Sequence, residues 1–440
     1  MSQVSTANVI QLFKNVYGDL TDLLPQDFPL ARDIPFSQKM KVGQKYVECV
    51  ILSSESGVTL SASTDAFELN PAVAGVVRQT EVTPYISVLP SVVPWGVISR
   101  SAGGGEKAFY EATRYIVKNN INSHSKFQEI FRLYGQAPGL LGYASYFSGI
   151  YRGVSFTSGT GTLNGITFTN GVNVASKAIL FAPGTFASGI WVGLEGVHVN
   201  QVSSTGAVLA TGKLVTVQSE YGYITVDFTP VAPSATSGAG SVRLCFQGMQ
   251  DAQDYVGINK VLTTDGVLFG IPTSQYSLWK GNVYDCGGQQ FTLPRLQSAI
   301  AAAVNRGGLE GDMMCYLNPR SWATVCSTEA GLRVYDKSYS PKEAENGFDA
   351  VTFYAQSGKI TIYPHRFVKE GEAYILSMPT WSRSGSAEVS FQIPGMGQDI
   401  IMPAQNQACY LFRSYSDQYL FCHKPAWNIV MTNISDEASS

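Results

Sequence analysis

Apolar side chains recur at helical spacing in a few stretches of this chain and at every second position in many others. This predicts a mixed α+β architecture. Over residues 6–24, Val9, Leu12, Phe13, Val16, Leu20 and Leu23 fall on one helical stripe, which Ser5 or Thr6 can cap and Pro25 ends. "PQDFPLARDIPF" follows, an extended arm by virtue of its three prolines. From Lys45 to Arg78 the chain alternates in "KYVECVIL", crosses a Ser/Thr/Ala-rich stretch and regains strand character in "VVRQTEVTPYISVLP". The pattern is a long hairpin, and a tip of such length is usually functional.

Phe109, Ala112, Ile116, Asn120, His124, Phe127, Phe131 and Tyr134 then mark one face of a helix of about seven turns. Gly103–Gly105 before it and Gly135 after it are its terminators. Residues 151–248 change character, with seven charged residues and short alternating runs such as "GITFT", "KLVTVQS" and "GYITVDFTP". Closely spaced strands with turn signals between them predict an inserted all-β sandwich or barrel. Beyond it, "TLPRLQSAIAAAVNRGG" reads as a helix, "MMCYL" as a buried strand and "PRSWATVCSTEAGL" as a helix with Pro319 in its first turn. The strands "VTFYA", "KITIYPHRF", "AYILS" and "AEVSFQI" follow, then a pair, "ACYLFRSY" and "QYLFCHK", joined at Ser416-Asp417. There is no internal repeat.

Composition sharpens this picture. The 440 residues leave room for two or three domains, yet only 14% are charged, against roughly 25% in an average soluble domain. With 22 Phe, 23 Tyr and 6 Trp there are many aromatics for one monomer's core, so a surface covered by partners is expected. A net charge of −3 argues against tight nucleic-acid binding over the whole surface. The most apolar stretch, "PYISVLPSVVPWGVIS", is interrupted by Pro84, Pro90 and Pro94 and cannot span a membrane as a helix. The amino-terminal stretch has no apolar signal core, so cytoplasmic synthesis and reduced cysteines are expected.

Candidate chemistry is sparse. None of the seven cysteines lies in a CxxC pair and only four histidines occur, so buried thiols are expected in place of a zinc site. The join at Asn318-Pro319 is where a nucleophile elbow would sit, but G-x-S-x-G is missing and Ser321 is followed by bulky Trp322. Cys326 with His365 or His423 would imitate a thiol–imidazole pair, although nothing in the sequence brings them together. Glu310 and Asp312 read as solvated edge residues. "AGGGEK" lacks the Walker GK[ST] and puts Glu106 where phosphate would lie, so a hinge is the stronger reading. His124 reads as a core or interface residue. Lys107, Arg114, Lys118, Lys126 and Arg132 share the helix with Glu106, Glu111 and Glu129, a pattern of a solvated face. No catalytic, cofactor-binding or metal-binding constellation remains, so no enzymatic activity and no cofactor are expected.

The order of elements carries a resemblance. "MMCYLNPRSWATV", "GFDAVTFYAQSGKITIYPHRFVKEGEAYIL" and "YSDQYLFCHKPAWNIVMTNI", preceded by an arm, a long hairpin and one very long helix, resemble the major capsid proteins of tailed phages in the Hong Kong 97-type fold. The resemblance implies an N-terminal arm (1–34), an extended loop (35–100), a spine helix with the start of a peripheral domain (101–150), an inserted all-β domain (151–248), and an axial domain with the rest of the peripheral domain (249–440). It implies a structural protein that self-assembles, as hexamers and pentamers, into an icosahedral shell around a double-stranded DNA genome. Its implied place is the virion, after assembly in the host cytoplasm. The implied partners are other copies, scaffolding, portal and decoration proteins, and DNA by weak non-specific contact, with no membrane. The arm begins near the first residue, so a separate scaffold or none is expected. Two rival readings are a β-rich tail, fibre or adhesin-like protein and a cytosolic hydrolase; the first is opposed by the lack of repeats, the second by the lack of a recognisable site.

On this resemblance, two subunit interfaces are expected. One is the arm, through Val9, Leu12, Phe13, Val16 and Leu20. The other is the extended loop, through Leu60, Asp65, Phe67, Glu68 and Leu69. Some members weld their shells by an isopeptide bond from a loop lysine. Here Tyr46 to Val77 contains no Lys or Arg, so a non-covalent lock is expected.

Overall fold

The computed structural model describes residues 27–37, 45–62, 66–95, 106–137, 141, 143–145, 150–151, 154–155, 160–163, 166–169, 176–181, 184–203, 206–220, 222–228, 242–249, 256–308, 311–333, 351–355, 358–391, 401–403 and 407–435. Two compact units emerge. The first comprises Met1–Tyr46, Val82–Ile130 and Ser382–Leu420, and the second Val47–Glu81, Phe131–Trp381 and Phe421–Ser440.

In the first unit a helix lies on a five-stranded sheet. The helix is Glu106–Tyr134, 29 residues long, and its last turn belongs to the second unit. It stops because the Gly135 N–H still reaches the Phe131 carbonyl at 2.7 Å while Gln136 takes a left-handed φ of 53° that turns the chain away. The sheet is organised on one long strand, Cys409–Cys422. Tyr85–Pro94 pairs antiparallel along it from Gln418↔Tyr85 to Cys409↔Pro94. Ile401–Pro403 and Trp381–Ser390 also join it, and Phe36–Ser37 adds in parallel to the latter. The turn expected at Ser416-Asp417 is replaced by 14 uninterrupted strand residues. Ser414, Ser416 and Gln418 are buried facing the helix, and polar residues in core positions imitated a turn signal. "VVRQTEVTPYISVLP" likewise divides at Thr83-Pro84 into Val77–Val82 and Tyr85–Pro94.

The second unit is centred on a six-stranded sheet in the order Asn282–Gln289, Ile429–Ile434, Ala373–Ser377, Met313–Leu317, Gly358–Pro364, Val351–Ala355. The two inner strands are buried almost throughout, as a continuous apolar run such as "MMCYL" requires. Helix Leu293–Gly307 covers the sheet with Leu296, Ala299, Ile300 and Ala303, at the i, i+3, i+4, i+7 spacing of an amphipathic helix. Each large apolar side chain so buried stabilises the unit by about 1.5–3 kcal/mol. Below the sheet's end, Asn428 is a buried polar hub. Its Oδ1 accepts from the Ser377 N–H (2.9 Å) and Trp381 Nε1 (2.8 Å), and its Nδ2 donates to Thr380 Oγ1 and the Lys424 carbonyl (3.0 Å each).

Six strands of the same unit close into a barrel: Tyr143–Ser145, Ser176–Phe181, His198–Val202, Val208–Gln218, Tyr223–Phe228 and Val242–Phe246. Its interior is lined by Val199, Leu214, Ile224, Val226 and Leu244, all essentially inaccessible. Gln201 stands opposite Ala210 and Leu244 on the same inward side, and among the described residues neither end of its carboxamide has a hydrogen-bond partner. The barrel is mounted on the turn that precedes Ala373–Ser377. Gly371 N–H donates to the Gly184 carbonyl and Glu370 N–H to that of Phe186, both at 2.9 Å. A Cβ on Gly371 would meet the Gly184 backbone at 2.8 Å, so glycine is required for this approach.

Candidate assembly surfaces

Among the described residues, the extended hairpin carries the most exposed large apolar side chains. Its stem strands are Tyr46–Ile51 and Val77–Val82. Beyond them the two arms stay together by Leu52 N–H to the Val76 carbonyl (2.8 Å), a Ser56↔Val73 bridge, and Asn70, which reaches Thr59 Oγ1 and the Val58 carbonyl. Val58, Leu60, Leu69 and Val73 are 80%, 93%, 76% and 56% exposed, and Phe67 is half exposed. Glu68 is also exposed, and Asp65 lies outside the described residues. Single exposed apolar residues are ordinary on a protein surface, but five on one hairpin are not. The arm residues Val9, Leu12, Phe13, Val16 and Leu20 all lie outside the described residues. The hairpin's root is fixed: Glu81 N–H donates to the Phe269 carbonyl (3.0 Å), Thr80 Oγ1 donates to the Glu48 carbonyl (3.0 Å), and His423 Nδ1 lies 2.9 Å from Glu48 Oε1.

A second apolar surface lies on the first unit's sheet. Alternation turns Ser87 toward the long helix and Ile86 and Val88 away from it, where they are 73% and 46% exposed.

Under that sheet the long helix packs through a polar seam. Asn120 Nδ2 donates to Ser91 Oγ (2.8 Å) and the Leu89 carbonyl (3.2 Å). His124 lies between Ser87 Oγ and Ser414 Oγ, 2.8 Å from each. Gln128 Nε2 donates to Ser87 Oγ (2.5 Å), while Gln128 Oε1 accepts from Gln418 Nε2 (2.8 Å). Buried Arg383 continues the network to Gln418 Oε1 (3.4 Å), Glu388 (2.5 Å) and the Ile34 carbonyl (3.0 Å). His124 is thus the buried residue expected from the sequence. The solvated face expected of the helix charges is found at Lys118, which is exposed, but not nearer the helix end. Lys126, Glu129 and Arg132 are all buried, and Glu129 Oε1 accepts the Leu30 N–H at 2.7 Å, capping the short helix Pro29–Asp33. Helical charge spacing alone could not reveal that a strand and a short helix pack here.

The Asn318-Pro319 join is a structural corner. Asn318 Oδ1 accepts the Arg320 N–H (2.9 Å) and Nδ2 donates to the Val368 carbonyl (2.7 Å). Arg320 leads away from it, pairing with Glu370 (3.0 Å) and donating to the Ser219 and Glu220 carbonyls (3.1 Å each) of a barrel turn. Ser321 is buried. His365 accepts the Phe367 N–H on Nδ1 (3.2 Å) and stands edge-on to Tyr316 and Phe367, while His423 belongs to the hairpin root. Asp312 is exposed, and Glu310 lies outside the described residues. Among the described residues no group of His, Cys, Asp and Glu could hold a metal ion, and no helix is long and apolar enough to cross a membrane.

One titratable cluster carried no sequence signal. Burial pushes the Tyr134 and Tyr374 phenols well up and the Lys369 ammonium down. Lys369 Nζ lies 4.2 Å above the Tyr134 ring, and the Tyr374 hydroxyl donates to Glu372 Oε2 (2.5 Å) and accepts from Asn259 Nδ2 (2.7 Å). Tyr134, Tyr374 and Lys369 are all buried, and the cluster ties the helix end to its neighbours. The cysteines divide: Cys245, Cys286, Cys315 and Cys422 are buried as expected, whereas Cys49 is exposed.

No family profile and no curated protein matches the chain. Among solved structures it is similar to the capsid asymmetric unit of cyanophage A-1(L), with a TM-score of 0.54 at 10% identity over 96% of this chain and 97% of that one. The capsid of a native GTA particle (TM-score 0.44, 8% identity, 99% of both chains) and a structure of Mycobacterium phage Bobi (0.42, 8%, 98% and 99%) are also among the matches. The cyanophage likeness spans both compact units and establishes the capsid type of fold expected from the order of elements.

Proposed function

We propose that this protein is the major capsid protein of a tailed phage, many copies of which assemble into the icosahedral shell around a double-stranded DNA genome. The observation that carries the proposal is the fold likeness to a cyanophage capsid subunit along almost the full length of both chains. The function is structural and located in the virion, assembled in the host cytoplasm. Hexamers and pentamers are the expected units, with scaffolding, portal and decoration proteins as further partners and only weak contact with packaged DNA. Exposed Leu60, Phe67 and Leu69 of the hairpin supply a surface that a neighbouring copy would cover, and Val9, Leu12, Phe13, Val16 and Leu20 supply a second such stripe in sequence. Asp65 and Glu68 set its register, because rim charges govern orientation more than affinity.

The test is sedimentation of the purified protein beside a Leu60→Asp, Leu69→Asp variant. Wild type should sediment as large closed particles, and the variant should fold but stay as small oligomers. Unchanged particles from the variant would remove the hairpin from the interface. The hairpin between Tyr46 and Val77 supplies no primary amine, so boiled particles should give one band near 47.5 kDa on a denaturing gel; a ladder of covalent multimers would refute the non-covalent lock.

A further inference from the structure

Arg383 and two carboxamides set the hydrogen-bond directions across the polar seam as far as His124 Nε2. Arg383 can only donate, so the Gln418 atom facing it is the carbonyl oxygen, and Gln418 Nε2 donates to Gln128 Oε1 and Ser416 Oγ (2.8 Å each). That fixes Gln128 with its NH2 toward Ser87 Oγ at 2.5 Å and His124 Nε2 at 3.3 Å. The Gln128 NH2 can only donate, so the His124 nitrogen that it faces, Nε2, is the acceptor, and the Ser87 hydroxyl 2.8 Å away can donate to it as well. Nε2 is therefore the bare nitrogen. Nδ1 carries the proton and donates to Ser414 Oγ (2.8 Å), whose hydroxyl reaches the Leu89 carbonyl (3.5 Å).

We propose that His124 is an acid-sensitive catch between the long helix and its sheet, closed only while the imidazole is neutral in the Nδ1–H form. A proton added at Nε2 faces the Gln128 NH2, a fixed donor, forces the Ser87 hydroxyl to turn from donor to acceptor, and puts a charge on a side chain that is 2% exposed. Among the described residues, the charged and titratable groups on the faces packed together here are Lys126 and Glu129 on the helix, Tyr85 and Tyr410 on the facing strands, and Arg383 and Glu388 on Trp381–Ser390. Glu129 is engaged by the Leu30 N–H and Glu388 by Arg383, while Arg413 and Asp417 alternate to the opposite face. The opened seam binds the proton more readily than the closed one, so acid favours opening. This inference concerns contacts within one copy and stands apart from shell formation.

The test is hydrogen–deuterium exchange of the full-length protein between pH 7.5 and 5.0, with rates corrected for the intrinsic effect of pH. Segments 119–133 and 85–93 should lose protection on the order of tenfold per pH unit below about 6.5, the ordinary imidazole pKa. His124→Gln, which keeps polar atoms on both sides and does not titrate, should be flat over that range. Equal loss in His124→Gln, or full protection of the wild type at pH 5, would overturn the proposal. Nitrogen NMR of labelled histidine in the wild type is a check that does not depend on the variant's folding. A bare Nε2 with a protonated Nδ1 is expected for His124, and the opposite tautomer refutes the catch.

Discussion

Two helices lie on two sheets in this molecule, and they are held by opposite means. Leu293–Gly307 meets its sheet through Leu296, Ala299, Ile300 and Ala303, without a polar atom from those four side chains. The long helix meets its sheet through Asn120, His124 and Gln128, facing Ser87, Ser91, Ser414 and Gln418. The first seam is stabilised in proportion to buried area and is indifferent to direction. The second is worth little per bond but demands that every donor meet an acceptor. An apolar seam is permanent, whereas a directional polar one can be opened by a single misplaced proton.

The largest effect is expected from breaking the apolar seam. Ile300→Ala should lower unfolding stability by about 2–5 kcal/mol, read from urea titration, because the cavity lies under a packed sheet. Gln128→Ala in the polar seam should cost less, about 1–3 kcal/mol, by leaving Ser87 and Gln418 underpaired. A double-mutant cycle with Gln418→Ala should then show a coupling of about 0.5–3 kcal/mol, and additive effects would mean that the seam is not a network.

A further contrast is between Arg320 and Gln201. Arg320→Ala removes a partly exposed clamp on the barrel turn and should cost about 1 kcal/mol or less. It should be visible mainly as faster hydrogen exchange at Ser219 and Glu220, with little change in melting. Gln201→Leu replaces an unpartnered amide in the barrel interior and should be neutral or stabilising by about 1 kcal/mol; marked destabilisation would reveal a partner for that amide.

A last effect is confined to alkaline pH. Burial pushes the Cys422 thiol up to about 12, while an unfolded cysteine titrates near 8.5. The folded state keeps its proton when the unfolded chain has released it. The contribution is complete below about 8.5 and declines as pH rises toward 12. Cys422→Ala should flatten part of that decline, and an unchanged slope would assign it to other groups.

The same contrast explains what could be read from sequence. Apolar periodicity locates Leu293–Gly307, Met313–Leu317 and the long helix, because area-driven packing leaves its spacing in the residues themselves. The long strand Cys409–Cys422 looks like two strands in sequence because Ser414, Ser416 and Gln418 resemble turn residues until the helix that pairs with them is in place. Lys126, Glu129 and Arg132 were read as solvated for the same reason. Hairpin residues Leu60, Phe67 and Leu69 were legible as interface candidates because apolar side chains in a long polar tip have nothing local to pack on. The Lys369–Tyr134–Tyr374 cluster left no trace, since its members are far apart in the chain and none belongs to a spaced motif.

The most direct test of the proposed function is electron microscopy of the full-length protein after expression and gentle purification. Closed particles of uniform diameter with icosahedral symmetry, and with the hairpin tips covered by adjacent copies in the reconstruction, are the expected result. Fibres, or monomers that remain dispersed at high concentration, would contradict the assignment as a shell protein.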